Sequence, residues 1–228
     1  MTNRAPLTPN EWYHCYNRGV DKRVVFKTAA DYDRFMAILF LCNGDKTVHL
    51  SNRNDTKLQS ILLSQDIKRG EPLVDIAAYS LMPNHVHFVL RSSRDDGIAR
   101  FMQKVFTAYT MYFNKRRHRT GALFAGTYKA KRIYDDRYLK RVVPYVLLNS
   151  ADLIEPRWRE NAAGVIEKKL LNYPYASLPD FLHFSRPENK IISSSIHEYY
   201  EATPSLKEMI TEAQQFYRDN EKELRALM

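Results

Sequence analysis

Apolar side chains recur along this chain in two rhythms. Short runs rich in aromatic and β-branched residues occur at Trp12–Arg18, Val74–Ser80 and His85–Arg91, each bounded by turn residues, and they predict strands. Gly19 closes the first run, and Met82-Pro83-Asn84 is the turn expected between the other two. From Asp31 to Cys42 the rhythm changes. Tyr32, Phe35, Met36, Leu39 and Phe40 fall three and four apart, which predicts a helix. A longer stripe of Ile98, Phe101, Met102, Val105, Tyr109, Tyr112 and Phe113 predicts a second helix through Asn114, entered from the polar stretch Ser92–Asp96.

The cationic turn Lys115–Gly121 should end that helix, with Gly121 closing it. Leu123–Ile133 then returns as a strand or hairpin arm, and Asp135 or Asp136 caps a further helix to about Asn149. A short helix is expected around Leu58–Ile67. Strands and helices mixed in this order predict an α+β fold with antiparallel neighbours. Beyond Asn172–Ser177 the composition turns to Ser, Pro and charge, and Leu206–Met228 has the spacing of an amphipathic terminal helix. The expected organisation is a domain over 1–180 and an extension over 181–228.

His85-Val86-His87 carries candidate chemistry. Residues two apart in a strand share a face roughly 7 Å apart, so both imidazoles can grip one divalent cation while Val86 turns to the apolar side. A pair of ordinary structural histidines is the competing reading. On the last predicted helix of the domain, Tyr145 and Asn149 are four apart and share a face. An amide oxygen beside two imidazoles suits Mg²⁺ or Mn²⁺ with positions left open. A phenol one turn away could reach a phosphate held there. With an ordinary pKa near ~10, it needs a cation or base to act as a nucleophile. His14 belongs to the first strand, the expected neighbour of the His85 strand, and is read as structural or close to the site.

Charge sharpens the choice of partner. The chain carries 35 Lys and Arg against 26 Asp and Glu, a net charge of +9, with fifteen tyrosines and only seven glycines. Basic charge with many aromatics suits a polyanion whose bases stack, which favours nucleic acid. Arg18 at a strand end and the set Lys115, Arg116, Arg117, Arg119, Lys129, Lys131 and Arg132 are the candidate DNA contacts. A solvated surface is the ordinary fate of such runs. Cys15 and Cys42 give neither a disulfide framework nor a Cys-rich zinc site. The longest apolar stretch, Ala37–Cys42, is far too short to cross a bilayer, and Met1–Asn10 lacks a signal-like apolar run, so a cytoplasmic protein without a membrane partner is expected.

Several of these pieces together resemble the single-tyrosine HUH transposases, especially the group associated with repetitive extragenic palindromes. They are Tyr13-His14-Cys15-Tyr16-Asn17-Arg18-Gly19, Ala78-Tyr79-Ser80-Leu81-Met82-Pro83-Asn84-His85-Val86-His87 and Tyr112-Phe113-Asn114. Arg119-Thr120-Gly121-Ala122-Leu123-Phe124, Tyr128-Lys129 and Tyr145-Val146-Leu147-Leu148-Asn149 complete the set. The resemblance spans residues 12–152. It implies an antiparallel sheet of RRM-like (ferredoxin-like) topology with helices packed on it. It also implies His85 and His87 as metal ligands, Asn149 in the third, polar ligand position, and Tyr145 as the nucleophile. The implied substrate is single-stranded or hairpin DNA, cut with a 5′-phosphotyrosine intermediate and a released 3′-OH, by a monomer or a homodimer. This sequence departs from the family pattern in two ways: Pro144 immediately precedes Tyr145, where a helix would kink or restart, and Ser150-Ala151 follow Asn149 in place of Pro-Val. The alternatives are an RRM-like module that binds nucleic acid without cutting and a metallohydrolase that uses water in place of Tyr145.

Overall fold

The computed structural model describes residues 7–48 and 55–219. Four strands, β1 (Trp12–Arg18), β2 (Asp75–Met82), β3 (His85–Arg91) and β4 (Lys129–Ile133), form one open antiparallel sheet in the order β2-β3-β1-β4. Helix α1 (Ala29–Cys42) lies between β1 and β2 in the chain, followed by the short α2 (Leu58–Leu63), and α3 (Gly97–Arg116) lies between β3 and β4. This strand order with two crossover helices is the expected RRM-like topology. Further helices follow: α4 (Asp136–Leu147), α5 (Ala151–Ile154), α6 (Ala163–Leu171), α7 (Leu178–Phe181) and, within the expected extension, α8 (Leu206–Asp219). The part of the predicted terminal helix from 220 to 228 lies outside the described residues.

Alternation along the strands sends side chains to two different cores. Tyr13 and Cys15 of β1, Val86, Phe88 and Leu90 of β3, and Ile76, Tyr79 and Leu81 of β2 pack against α1 and α3. On α3 the buried stripe is Ile98, Phe101, Met102, Val105, Tyr109 and Phe113, as the spacing predicts. Tyr112 falls beside the stripe, where its hydroxyl donates to the Asp31 carboxylate at 3.2 Å. Asp31 is fully buried at the start of α1. It accepts the backbone N–H groups of Lys27 and Thr28 and is bridged by Arg117 at 2.5 Å, so the charge is paired rather than stranded.

The opposite sheet face carries Trp12, Ala78, Val89 and Ile133, which pack under Leu139, Val142, Val143, Val146 and Leu147 of α4. Met209 and Ile210 of α8 join the same cluster. The free edge of β2 is covered by the segment after α6: Leu81 N–H donates to Tyr175 O at 2.9 Å and Ser177 N–H to Tyr79 O at 3.0 Å.

Several element ends differ from expectation. Met82 is the last residue of β2, paired with His85, so the hairpin turn is only Pro83-Asn84. Helix α3 stops at Arg116; His118 (φ 48°) makes the first left-handed turn out of it, and Gly121 (φ 82°) closes the cationic turn. The return strand begins only at Lys129. Residues 123–126 instead wrap the end of β1, with Val20 N–H donating to Leu123 O and Ala125 N–H to Arg18 O, and Gly126 (φ 67°) turns the chain away from extended geometry. Helix α4 runs without a break through Pro144 and ends at Leu147, so Asn149 lies just beyond it.

Candidate active site

Cross-strand register lays out the second sheet face in rows. Met82, His85 and Arg18 stand side by side, then Ser80, His87, Tyr16 and Lys129, then Ala78, Val89, His14 and Lys131. The apolar end of this face lies under α4. The other end carries three imidazoles, a phenol and three cations.

Each β3 imidazole is pinned at Nδ1. His85 Nδ1 is 2.7 Å from Asn84 Oδ1, and His87 Nδ1 is 2.9 Å from His14 Nε2. An amide oxygen only accepts, so His85 carries its proton on Nδ1 and offers the lone pair of Nε2. All three rings are held uncharged. Burial pushes His85 down, aided by the nearby Arg18 charge. His87, 8% exposed, is pushed well below the usual histidine value by burial and then by His14, His85 and Arg18. His14 falls to about 4, through burial first and Lys131 second. Neutral imidazole is the form that ligates a metal.

Helix α4 brings Tyr145 onto the same group. Its ring centroid is 5.7 Å from that of His14 and 5.9 Å from that of His87, edge-on to both, and the residue is 41% exposed. Asn149 follows one turn later, with its N–H to Val146 O at 3.3 Å. Its Oδ1 is buried beside His85, near enough to favour that ring's charged form, yet makes no well-formed hydrogen bond. A buried amide oxygen without a donor costs about 1–3 kcal/mol, and a cation would satisfy it. Among the described residues no three His, Cys, Asp or Glu side chains gather into a metal cage. Two neutral imidazoles with an unsatisfied amide oxygen instead form a sparse N/O donor set, which fits Mn²⁺ or Mg²⁺ bound largely through water and phosphate oxygens.

The sequence-derived cations divide. Arg18 is exposed at the end of β1 opposite His85; Lys129 sits 6.0 Å from the Tyr16 ring centre and Lys131 5.5 Å from that of Tyr138, all on the imidazole face. Arg132 points from the other face of β4 and pairs with Glu11 at 2.8 Å. Arg117 and Arg116 approach Asp31 at 2.5 and 3.9 Å, and Arg119 bonds Asn114 and the Ala122 carbonyl. Lys115 is exposed near the end of α3, the helix on the opposite side of the sheet. Sequence reasoning gave Asn84 only a turn role, whereas its side chain fixes His85. It also gave no chemical role to Ser80, whose buried Oγ lacks a partner opposite His87. Extending the His85/His87 alternation across the sheet to His14 and Tyr16 was the signal that could have found the wider cluster.

Residues 36–148 match the family profile described as "Transposase IS200 like". A solved structure described as "Structure of the REP associates tyrosine transposase bound to a REP hairpin" aligns with 90% of this chain and 97% of that chain, at 10% identity and a TM-score of 0.47. No curated protein matches the chain significantly. Among the described residues no helix is long and apolar enough to cross a membrane.

Proposed function

We propose, from the match of residues 36–148 to the IS200-like transposase family, that the chain is a single-strand DNA endonuclease and strand transferase. Tyr145 is its nucleophile. The observation that carries this reading is the convergence of Tyr145, on α4, with His14 and His87, on β1 and β3, at ring separations of 5.7 and 5.9 Å. A nucleophile must approach a phosphate that is already held, and rigid elements meeting on one sheet face supply that positioning.

In the proposed reaction the Tyr145 oxygen attacks the scissile phosphorus and loses its proton. The bond to the 3′ oxygen breaks, that oxygen takes up a proton, and the 5′ phosphate remains esterified to Tyr145. Attack by another 3′-OH on the phosphotyrosine rejoins strands without ATP, because the covalent link conserves the ester. His85, His87 and Asn149 would hold Mg²⁺ or Mn²⁺, which polarises the phosphate and offsets its developing charge. Arg18, Lys129 and Lys131 supply positive charge along the same face for the DNA backbone. Hairpin DNA is the favoured substrate class. The nucleophile and the imidazoles of one chain already adjoin each other, which supports a site completed in cis by a monomer.

Incubating the protein with end-labelled single-stranded hairpin DNA and Mn²⁺ tests the reading. A denaturing gel should show a covalent protein–DNA band that Tyr145→Phe abolishes while DNA binding persists. Cleavage that survives Tyr145→Phe would establish water as the nucleophile. Binding without any cleavage by the wild type would establish a recognition module.

A further inference from the structure

His14 has a place in the cluster that ligand, nucleophile and DNA contacts leave unexplained. A separation of 2.9 Å between His14 Nε2 and His87 Nδ1 is closer than stacked rings approach. With planes only 16° apart and centroids at 5.1 Å, the two imidazoles therefore meet edge to edge in nearly one plane, the geometry in which an N–H points along a lone pair. Only one proton fits between the two nitrogens. If His14 donates it, His87 carries its remaining proton on Nε2 and has no lone pair to offer. If His87 donates it, Nε2 of His87 is free. The contact is shielded: His87 is 8% exposed, and the Tyr16 ring lies 5.1 Å from His14 and 5.7 Å from His87, so no bulk water substitutes for the acceptor.

We infer that His14 is the positioning residue for His87, accepting the His87 Nδ1–H on its own Nε2 and so keeping the His87 Nε2 lone pair directed at a divalent cation. The inference rests on the metal-site reading above. Asn84 does the same for His85, so one strand's two imidazoles are oriented by different partners, a turn amide and a neighbouring strand's histidine. Ligating histidines commonly depend on such a partner at the second nitrogen.

Calorimetric titration of the DNA-free full chain with Mn²⁺ tests it, with melting temperatures of the metal-free variants reporting folding. His14→Phe keeps the ring but removes the acceptor, and is expected to weaken Mn²⁺ binding about 10–100-fold. His14→Gln places an amide oxygen near the Nε2 position and should stay within about threefold of wild type. His87→Ala should lose the site. Wild-type affinity in His14→Phe, or equal losses in His14→Phe and His14→Gln, overturns the His14 role while leaving the metal site standing. Wild-type affinity in His87→Ala overturns the metal site itself, and this inference with it. The ¹⁵N shifts of His87 in the Mg²⁺-saturated wild type read the tautomer without any variant: a protonated Nδ1 is expected, and a protonated Nε2 overturns the inference.

Discussion

The two faces of one sheet do different work with neighbouring residues of the same strands. In β3, Val86, Phe88 and Leu90 vanish into the α1/α3 core, while His85 and His87, one position away, build the polar cluster. In β1 the same division separates Tyr13 and Cys15 from His14 and Tyr16. The first face is filled by apolar and aromatic side chains, with a buried polar atom without a partner at the Tyr79 hydroxyl. The second is apolar only beneath α4, where Trp12, Val89 and Ile133 anchor the helix, and it keeps unsatisfied polar atoms at Ser80 and Asn149. A fully packed layer can thus supply the stability and rigidity that a half-polar layer lacks, and the half-polar layer is where chemistry can be placed.

Substitutions on the packed face should cost most. Phe88→Ala, which empties a fully buried position, is expected to destabilise the protein by about 3–5 kcal/mol in urea unfolding. Arg117→Met, which removes the closer of the two arginines that pair the buried Asp31, should cost about 3 kcal/mol and leave the salt dependence of DNA binding unchanged. A changed salt slope with intact stability would return Arg117 to the DNA contacts.

The polar face should respond to pH instead. His14, His85 and His87 have folded-state pKa values lowered by burial, so the unfolded chain binds protons that the folded chain resists. Stability of the metal-free protein is therefore full above about pH 6.5 and is lost as pH falls. His14, lowered to about 4, accounts for about 3 kcal/mol of that loss over the interval. Denaturant midpoints at pH 7.5 and 4.5 measure it, and His14→Gln should flatten the dependence. The smallest stability effect belongs to Lys129→Ala with Lys131→Ala, within about 0.5 kcal/mol for exposed side chains. The same pair should lower the slope of log affinity for single-stranded DNA against log salt by about 0.7 per lysine. An unchanged slope would remove β4 from the DNA path.

Much of this architecture is legible in the order of residues, because periodicity is local. The spacing of Phe101, Met102, Val105 and Tyr109 marks α3, and the alternation around Val86 marks β3. What misled was also local. Gly121 looks like the residue that ends the helix, but His118 makes the first left-handed turn, and Gly121, left-handed as well, closes the loop by accepting from the Asn114 amide. Leu123 to Tyr128 reads as strand, yet hydrogen bonds to Val20 and Arg18 capture its first part as a loop. Pro144 reads as a break, but α4 keeps its course over the sheet because Val142, Val143, Val146 and Leu147 are buried there.

The amino-acid order by itself determined which side chains share a strand or helix face, since that follows from backbone geometry: His85 with His87, and the apolar stripe of α3. Only the tertiary structure decided that His14 would meet His87 nitrogen to nitrogen, that Asn84 would turn back onto His85, and that Arg117 would serve Asp31. These contacts join residues far apart in the chain or depend on side-chain direction. Such partners are selected by strand register, helix placement and the cost of leaving a buried polar group alone, and no local pattern encodes that choice.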